Sequence, residues 1–98
     1  PFADLPSGFT LSQNYPNPFN PTTTILFSLS TAEDVTLEVF NLLGQKVKEL
    51  RDGYHAAGAY TIEWDATNDA GQSVASGVYF YRLTAGTFTQ SKKMILLR

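Results

Sequence analysis

The sequence predicts an all-β sandwich, and three observations carry the prediction. Short runs rich in Val, Ile, Thr, Phe and Tyr recur between turn signals. Several of these runs alternate apolar with polar residues, the period-two spacing that places every second side chain on one face of a strand. No segment shows a sustained apolar stripe at helical spacing. The 98 residues are 43% hydrophobic and 16% charged, a composition that fits one domain with an ordinary core. A chain of this length folds on such a core without disulfides or a structural metal, and it contains no cysteine.

All five prolines lie within residues 1–21. Each fixes its own φ and pushes its predecessor toward extended backbone, so Asn14-Tyr15-Pro16-Asn17-Pro18-Phe19-Asn20-Pro21 reads as a stiff lead-in ending in an anchor. Residues 1–13 read as a linker from an upstream domain, and the folded domain is expected over 14–98. Ile25, Phe27 and Leu29 alternate with Leu26 and Ser28 in a first strand; Val35, Leu37 and Val39 alternate with Thr36 and Glu38 in a second. Asn41-Leu42-Leu43-Gly44 then turns the chain, with Asn suited to open the turn and Gly44 to the positive φ that closes it. Lys46, Val47, Lys48 and Glu49 begin the return strand, while Arg51-Asp52-Gly53 through Ala57-Gly58 reads as a loop. Tyr60, Ile62 and Trp64 alternate with Thr61 and Glu63, which places Trp64 in the core.

The run from Asp65 to Gly71 has turn composition. Near-continuous apolarity in Val78-Tyr79-Phe80-Tyr81-Arg82-Leu83 predicts a central strand buried on both faces. After the turn at Ala85-Gly86-Thr87, a final strand from about Phe88 to Leu97 carries the chain to its last residue, with Met94, Ile95, Leu96 and Leu97 in the core.

The sequence offers little catalytic chemistry. Its one histidine, His55, is expected in an exposed loop with no nucleophile motif beside it, so no enzyme activity is expected. There is no phosphate-cradling glycine motif and no pair of histidines to seat zinc, so neither a cofactor nor a metal is expected. Asp65, Thr67 and Asp69 alternate as oxygen donors, but the glycine comes one position late for a calcium loop and Ser76 stands where a bidentate glutamate is needed. A strand-exit turn is the simpler reading, and the sequence leaves calcium and carbohydrate binding open. The exposed aromatics that a sugar platform would need are Tyr54 and whichever of Phe80 and its neighbours faces outward. Apolar runs such as Met94-Ile95-Leu96-Leu97 are far shorter than the ~18 residues of a membrane span. The start, Pro1-Phe2-Ala3-Asp4, has neither an initiator methionine nor the pattern of a signal peptide, so a longer parent is expected. Residues 1–69 hold all nine acids and three of the seven bases, a net −6, while Arg82, Lys92, Lys93 and Arg98 give residues 70–98 a net +4. Four spaced charges are too few for a nucleic-acid footprint, and none is expected as a partner. The basic segment either binds something else or faces the acidic strands of its own fold.

Four blocks together carry a resemblance: Asn14-Tyr15-Pro16-Asn17-Pro18-Phe19-Asn20-Pro21-Thr22-Thr23, Asn41-Leu42-Leu43-Gly44-Gln45-Lys46-Val47, Gly77-Val78-Tyr79-Phe80-Tyr81-Arg82-Leu83, and Lys92-Lys93-Met94. In order, spacing and position they resemble the type A C-terminal sorting domain of the type IX (Por) secretion system of Bacteroidetes. The Trp64-Asp65 turn and the Gly77-x-Tyr79 strand are also similar to the immunoglobulin-like domain of the flagellar hook-capping protein. The resemblance implies an immunoglobulin-like antiparallel β-sandwich of about seven strands at the C-terminus of an exported cargo protein. It implies a precursor taken to the periplasm by a separate signal peptide, then directed by this domain through the outer-membrane machinery, so that the product is secreted or held at the cell surface. In many such proteins a sortase-like peptidase removes the domain, which would place a cut near or before residues 1–10. The recognition residues implied are Gly77, Tyr79, Lys92 and Lys93, with Asn17, Pro18, Phe19, Asn20 and Pro21 as the lead-in motif. A monomer is expected.

Two physical modes of recognition fit this picture: pairing with an exposed edge strand, or binding to a charged face, and the final basic strand offers both. Lys92 and Lys93 are adjacent and so point to opposite faces. The same strand also matters to folding through its buried side chains, and Gly77 and Tyr79 read equally well as a backbone bulge and a core tyrosine. A structural module of an extracellular assembly and a carbohydrate-binding appendage of a secreted glycoside hydrolase stay open as alternatives.

Overall fold

The computed structural model describes residues 8–98, among which seven strands form two antiparallel sheets. β1 (Thr10–Leu11), β2 (Thr23–Leu29) and β5 (Gly58–Trp64) make a three-stranded sheet in the order β1-β2-β5. β3 (Glu33–Asn41), β4 (Lys46–His55), β6 (Gly77–Ala85) and β7 (Phe88–Leu96) make a four-stranded sheet in the order β4-β3-β6-β7. This is the immunoglobulin-like sandwich that the sequence leads one to expect.

Alternation decides which face each strand buries. Ile25, Phe27 and Leu29 of β2, with Ile62 and Trp64 of β5, are buried against Val35, Leu37 and Val39 of β3, Tyr79, Tyr81 and Leu83 of β6, and Met94 and Leu96 of β7. Burial of each large side chain contributes about 1.5–3 kcal/mol relative to exposure, which is what holds the sheets together. Trp64 stands in an aromatic row, its ring centre 5.8 Å from Phe19 and 5.5 Å from Tyr79, and its Nε1 donates to Thr67 O at 2.9 Å.

Four expectations need correction. The segment read as a loop from Arg51 is mostly strand: β4 continues to His55 and pairs with β3 as far as Glu33. Two register shifts against β3 break the alternation of this edge strand, and Gly53, at φ +131°, sits within it at a backbone angle that favours glycine. His55 is accordingly half-buried, 5.1 Å from the Tyr60 ring, with Nδ1 2.9 Å from Gly53 O. β6 is central in its sheet but buried on one face only, because among the described residues no third layer covers the side carrying Phe80 and Arg82. β7 ends at Leu96; of its last residues Met94 and Leu96 are buried, Ile95 is half-buried and Leu97 is 54% exposed. Finally, within the stretch read as linker, Thr10 and Leu11 pair with Ser28 and Phe27, and Leu11 is buried. Residues 1–7, and with them most of the expected cleavage region, lie outside the described residues.

Candidate interaction surface

The lead-in is tied to the sandwich at Asn14, Tyr15, Pro16, Asn17 and Phe19. Asn14 is buried: its backbone N donates to Tyr81 Oη at 2.8 Å, and its Nδ2 donates to Thr23 Oγ1 at 2.9 Å. Thr23 Oγ1 in turn donates to Pro16 O at 2.9 Å, and Tyr81 Oη donates to Ser12 O at 2.6 Å. Tyr15 pairs with Thr24, so the chain first follows β2. The side chain of Gln13 already reaches β7 of the other sheet, and from Asn17 to Phe19 the chain runs beside that strand. Gln13 Nε2 donates to Lys93 O at 2.8 Å, Ile95 N donates to Asn17 Oδ1 at 3.0 Å, Phe19 N donates to Ile95 O at 3.0 Å, and Leu97 N donates to Phe19 O at 2.9 Å. Phe19 itself is 2% exposed. The outer edge of β7 from Lys93 to Leu97, which would otherwise present unpaired backbone groups, is thus closed by the lead-in.

The implied recognition residues do not form one patch. Gly77 opens β6 opposite Leu96 with φ +151°, and a Cβ there would meet no atom within 4 Å, so its requirement is one of backbone angle. Tyr79 is 7% exposed, packs edge-on against Trp64, and donates its hydroxyl to Ala75 O at 2.6 Å. Burial pushes its phenol up, with the charge of Arg98 in partial opposition. Lys92 lies on the inward side of β7 and is half-buried at the rim; Lys93 is exposed on the outer face. What the fold brings together is Phe19, Trp64 and Tyr79, one from each of three separated segments, in a single aromatic row. Arg98 is also engaged, donating to Val74 O at 2.7 Å and Ala66 O at 2.9 Å, so it clasps the β5–β6 connection and is no free cation.

The Asp65–Asp69 segment behaves as a turn. Thr67 Oγ1 donates to Asp65 Oδ1 at 2.5 Å, and Asp69 Oδ1 accepts from Glu49 N at 3.1 Å. Asp69 N also donates to Val47 O at 3.1 Å, so Asp69 closes part of the β4 edge. Among the described residues no group of three His, Cys, Asp or Glu side chains is placed to hold a metal ion. Nor is any helix among them long and apolar enough to cross a membrane.

One feature escaped the sequence reading although its signal was plain: Asn-x-x-Gly-Gln occurs at 41–45 and again at 68–72. The two turns are the same structure. Asn41 N donates to Gln45 O at 3.0 Å and Asn68 N to Gln72 O at 2.9 Å; Gly44 N and Gly71 N each return to the Asn carbonyl at 2.9 Å. Each Asn Oδ1 accepts two backbone N–H groups, from Leu43 and Gln45 in one turn and from Ala70 and Gln72 in the other. Gly44 and Gly71 share a left-handed φ, +82° and +81°. Asn68→Ala should cost about 1–2 kcal/mol in urea unfolding, because two backbone N–H groups lose their acceptor.

The family model of the FlgD Ig-like domain matches residues 16–88. The chain belongs to the FlgD Ig-like domain family. Its fold is similar to part of dimeric latent PorU from Porphyromonas gingivalis, with a TM-score of 0.72 at 21% identity over 96% of this chain and 10% of that one. It is similar to part of PorZ, an essential surface component of the type IX secretion system of the same bacterium, with a TM-score of 0.61 at 20% identity over 94% of this chain and 12% of that one. FlgD of Xanthomonas campestris, a hook-capping protein of flagellar assembly, gives a TM-score of 0.61 at 24% identity over 90% of this chain and 66% of that one. This chain therefore spans only about a tenth of the length of the first two chains it resembles. No protein of curated function matches the sequence.

Proposed function

We propose that this FlgD Ig-like domain is a non-catalytic C-terminal sorting signal that directs an exported cargo protein through the outer-membrane secretion machinery to the cell surface or medium. The observation that carries the reading is that three of its four sequence blocks meet at one joint: the lead-in motif lies along β7, and Phe19 meets Trp64 beside Tyr79. Likeness of fold to PorZ, where such a domain is a small part of a long chain, supports it. In this reading Asn17, Phe19 and Tyr79 build the signal, and the machinery reads what stays accessible. With the β7 edge from Lys93 to Leu97 closed, recognition falls on side chains, Lys93 on the outer face and Lys92 at the rim. The cargo lies upstream, and a sortase-like peptidase is the partner where the domain is removed.

The test fuses residues 1–98 behind a signal peptide and a fluorescent reporter in a host with a type IX system, beside Lys92→Ala/Lys93→Ala. Neither lysine has an ion-pair partner among the described residues, so the double variant should keep the wild-type circular dichroism. Surface reporter with the wild type and periplasmic reporter with the folded variant are the expected results. Periplasmic retention of both would sink the sorting reading. Family membership favours one other reading, a structural module of an extracellular assembly, which requires concentration-dependent self-association in sedimentation.

A further inference from the structure

The face of the four-stranded sheet that no layer among the described residues covers carries one row unlike the others. In strand order, Lys46, Phe40, Phe80 and Lys93 are register partners across β4, β3, β6 and β7. Neighbouring strands lie about 4.8 Å apart, so the row is a pair of phenylalanines bracketed by lysines about 14 Å from each other. Phe40 and Phe80 are both partly exposed, and with Leu42, Arg82 and Ser91 they line a groove of about 390 Å³. The Arg82 guanidinium lies over Phe40, 4.5 Å from the ring centre.

The twin turns supply an internal control for Leu42. Since Asn68-Asp69-Ala70-Gly71-Gln72 makes the same turn, the hydrogen bonding of Asn41-Leu42-Leu43-Gly44-Gln45 does not call for leucine. In the second turn the residue after Asn docks on its own chain, Asp69 binding the β4 edge through Val47 O and Glu49 N. In the first turn the equivalent residue is Leu42, 69% exposed at the lip of the groove, followed by Leu43 at 83%. Adjacent exposed leucines beside partly exposed phenylalanines mark a contact surface more than a solvated turn.

Charge selects the occupant. Lys46 bridges Glu38 at 3.6 Å and Glu49 at 2.6 Å, and Arg82 bridges Glu38 at 3.6 Å. Lys93 has no acidic partner among the described residues. The uncompensated positive charge therefore sits at the β7 end of the row. We infer that this face is a docking site for a partner protein's apolar segment with acidic side chains at one end, the apolar part lying on Phe40, Phe80 and Leu42 and the acids meeting Lys93. The inference shares Lys93 with the sorting reading, but the two fail separately: docking is measured in solution on the isolated domain and through Leu42 and Leu43, whereas export is measured in cells.

The test titrates the isotopically labelled domain with an amidated peptide that has a Phe-Leu-Phe centre and two glutamates at one end, and with a counterpart carrying lysines in their place. Binding of the acidic peptide, stronger at low salt, with shifts at Phe40, Phe80, Arg82 and Lys93, is the expected result. Lys93→Glu should weaken it several-fold. Leu42→Asp/Leu43→Ala, which writes the second turn's residues into the first, should abolish it while leaving the melting temperature close to wild type. Failure of the acidic peptide to bind, equal binding of both peptides, shifts mapping elsewhere, or undiminished binding by the turn-swapped variant would each overturn the proposal. Shifts of the same resonances with protein concentration alone would instead assign the face to a second copy of this domain.

Discussion

Phe19→Ala should destabilise the domain by about 3–5 kcal/mol, lowering its melting temperature by roughly 15–30 °C. The ring is 2% exposed and lies 5.8 Å from Trp64, so truncation leaves a cavity against the largest side chain of the core. Relaxation cannot fill that cavity cheaply, because the backbone of Phe19 is held on both sides by β7, through Ile95 O and Leu97 N. The measurement is urea unfolding followed by fluorescence of Trp64, the one tryptophan, which reports directly on the damaged contact. A loss below about 1 kcal/mol would mean that the lead-in lies on the sandwich without stabilising it, since surface substitutions rarely exceed that. The result bears on function as well. A lead-in motif that fails in export when mutated has two explanations, and this variant measures how much of the failure is folding.

Strand identity was legible wherever one face alone is buried and the register is regular, as in Ile25-x-Phe27-x-Leu29, Val35-x-Leu37-x-Val39 and Tyr60-x-Ile62-x-Trp64. It failed at β4, where register shifts beside Glu38 and Phe40 disrupt the period and Asp52-Gly53 has the composition of a turn while lying in an edge strand. It overreached at β6, since Val78 and Phe80 suggest a second buried face, but beside Arg82 they meet no covering layer among the described residues. The closure of the β7 edge was out of reach for a different reason. The contact between Gln13 and Lys93 spans 80 residues, and no local pattern encodes a partner that distant. Sequence therefore identified Asn17 and Phe19 as a motif, and only the fold gives them their task, which is to occupy the edge that the final basic strand would otherwise offer.

That occupation is secured from inside by one hydroxyl, and Tyr81→Phe tests it. Tyr81 Oη donates to Ser12 O at 2.6 Å and accepts from Asn14 N at 2.8 Å, tying β6 to the lead-in on either side of Gln13. Removing it leaves the buried Asn14 N without its acceptor, and the expected loss is about 2–3 kcal/mol although the aromatic ring is kept. Burial pushes the Tyr81 phenol up to about 12, against about 10 for an unfolded tyrosine; the bond from Asn14 N pulls the other way. The neutral form is thus the one the fold prefers. Its contribution is complete below pH 10 and is lost as pH rises through about 12. Wild type should lose stability across that alkaline window, and Tyr81→Phe should lose less of it. The slope will flatten without vanishing, since Tyr79 is shifted in the same direction. Denaturant midpoints measured at neutral pH and across the alkaline range, with phenolate absorbance recorded in parallel, read both effects. Equal alkaline slopes in the two proteins would show that groups other than Tyr81 set the alkaline loss, and an unchanged midpoint at neutral pH would show that its hydroxyl does not secure the lead-in.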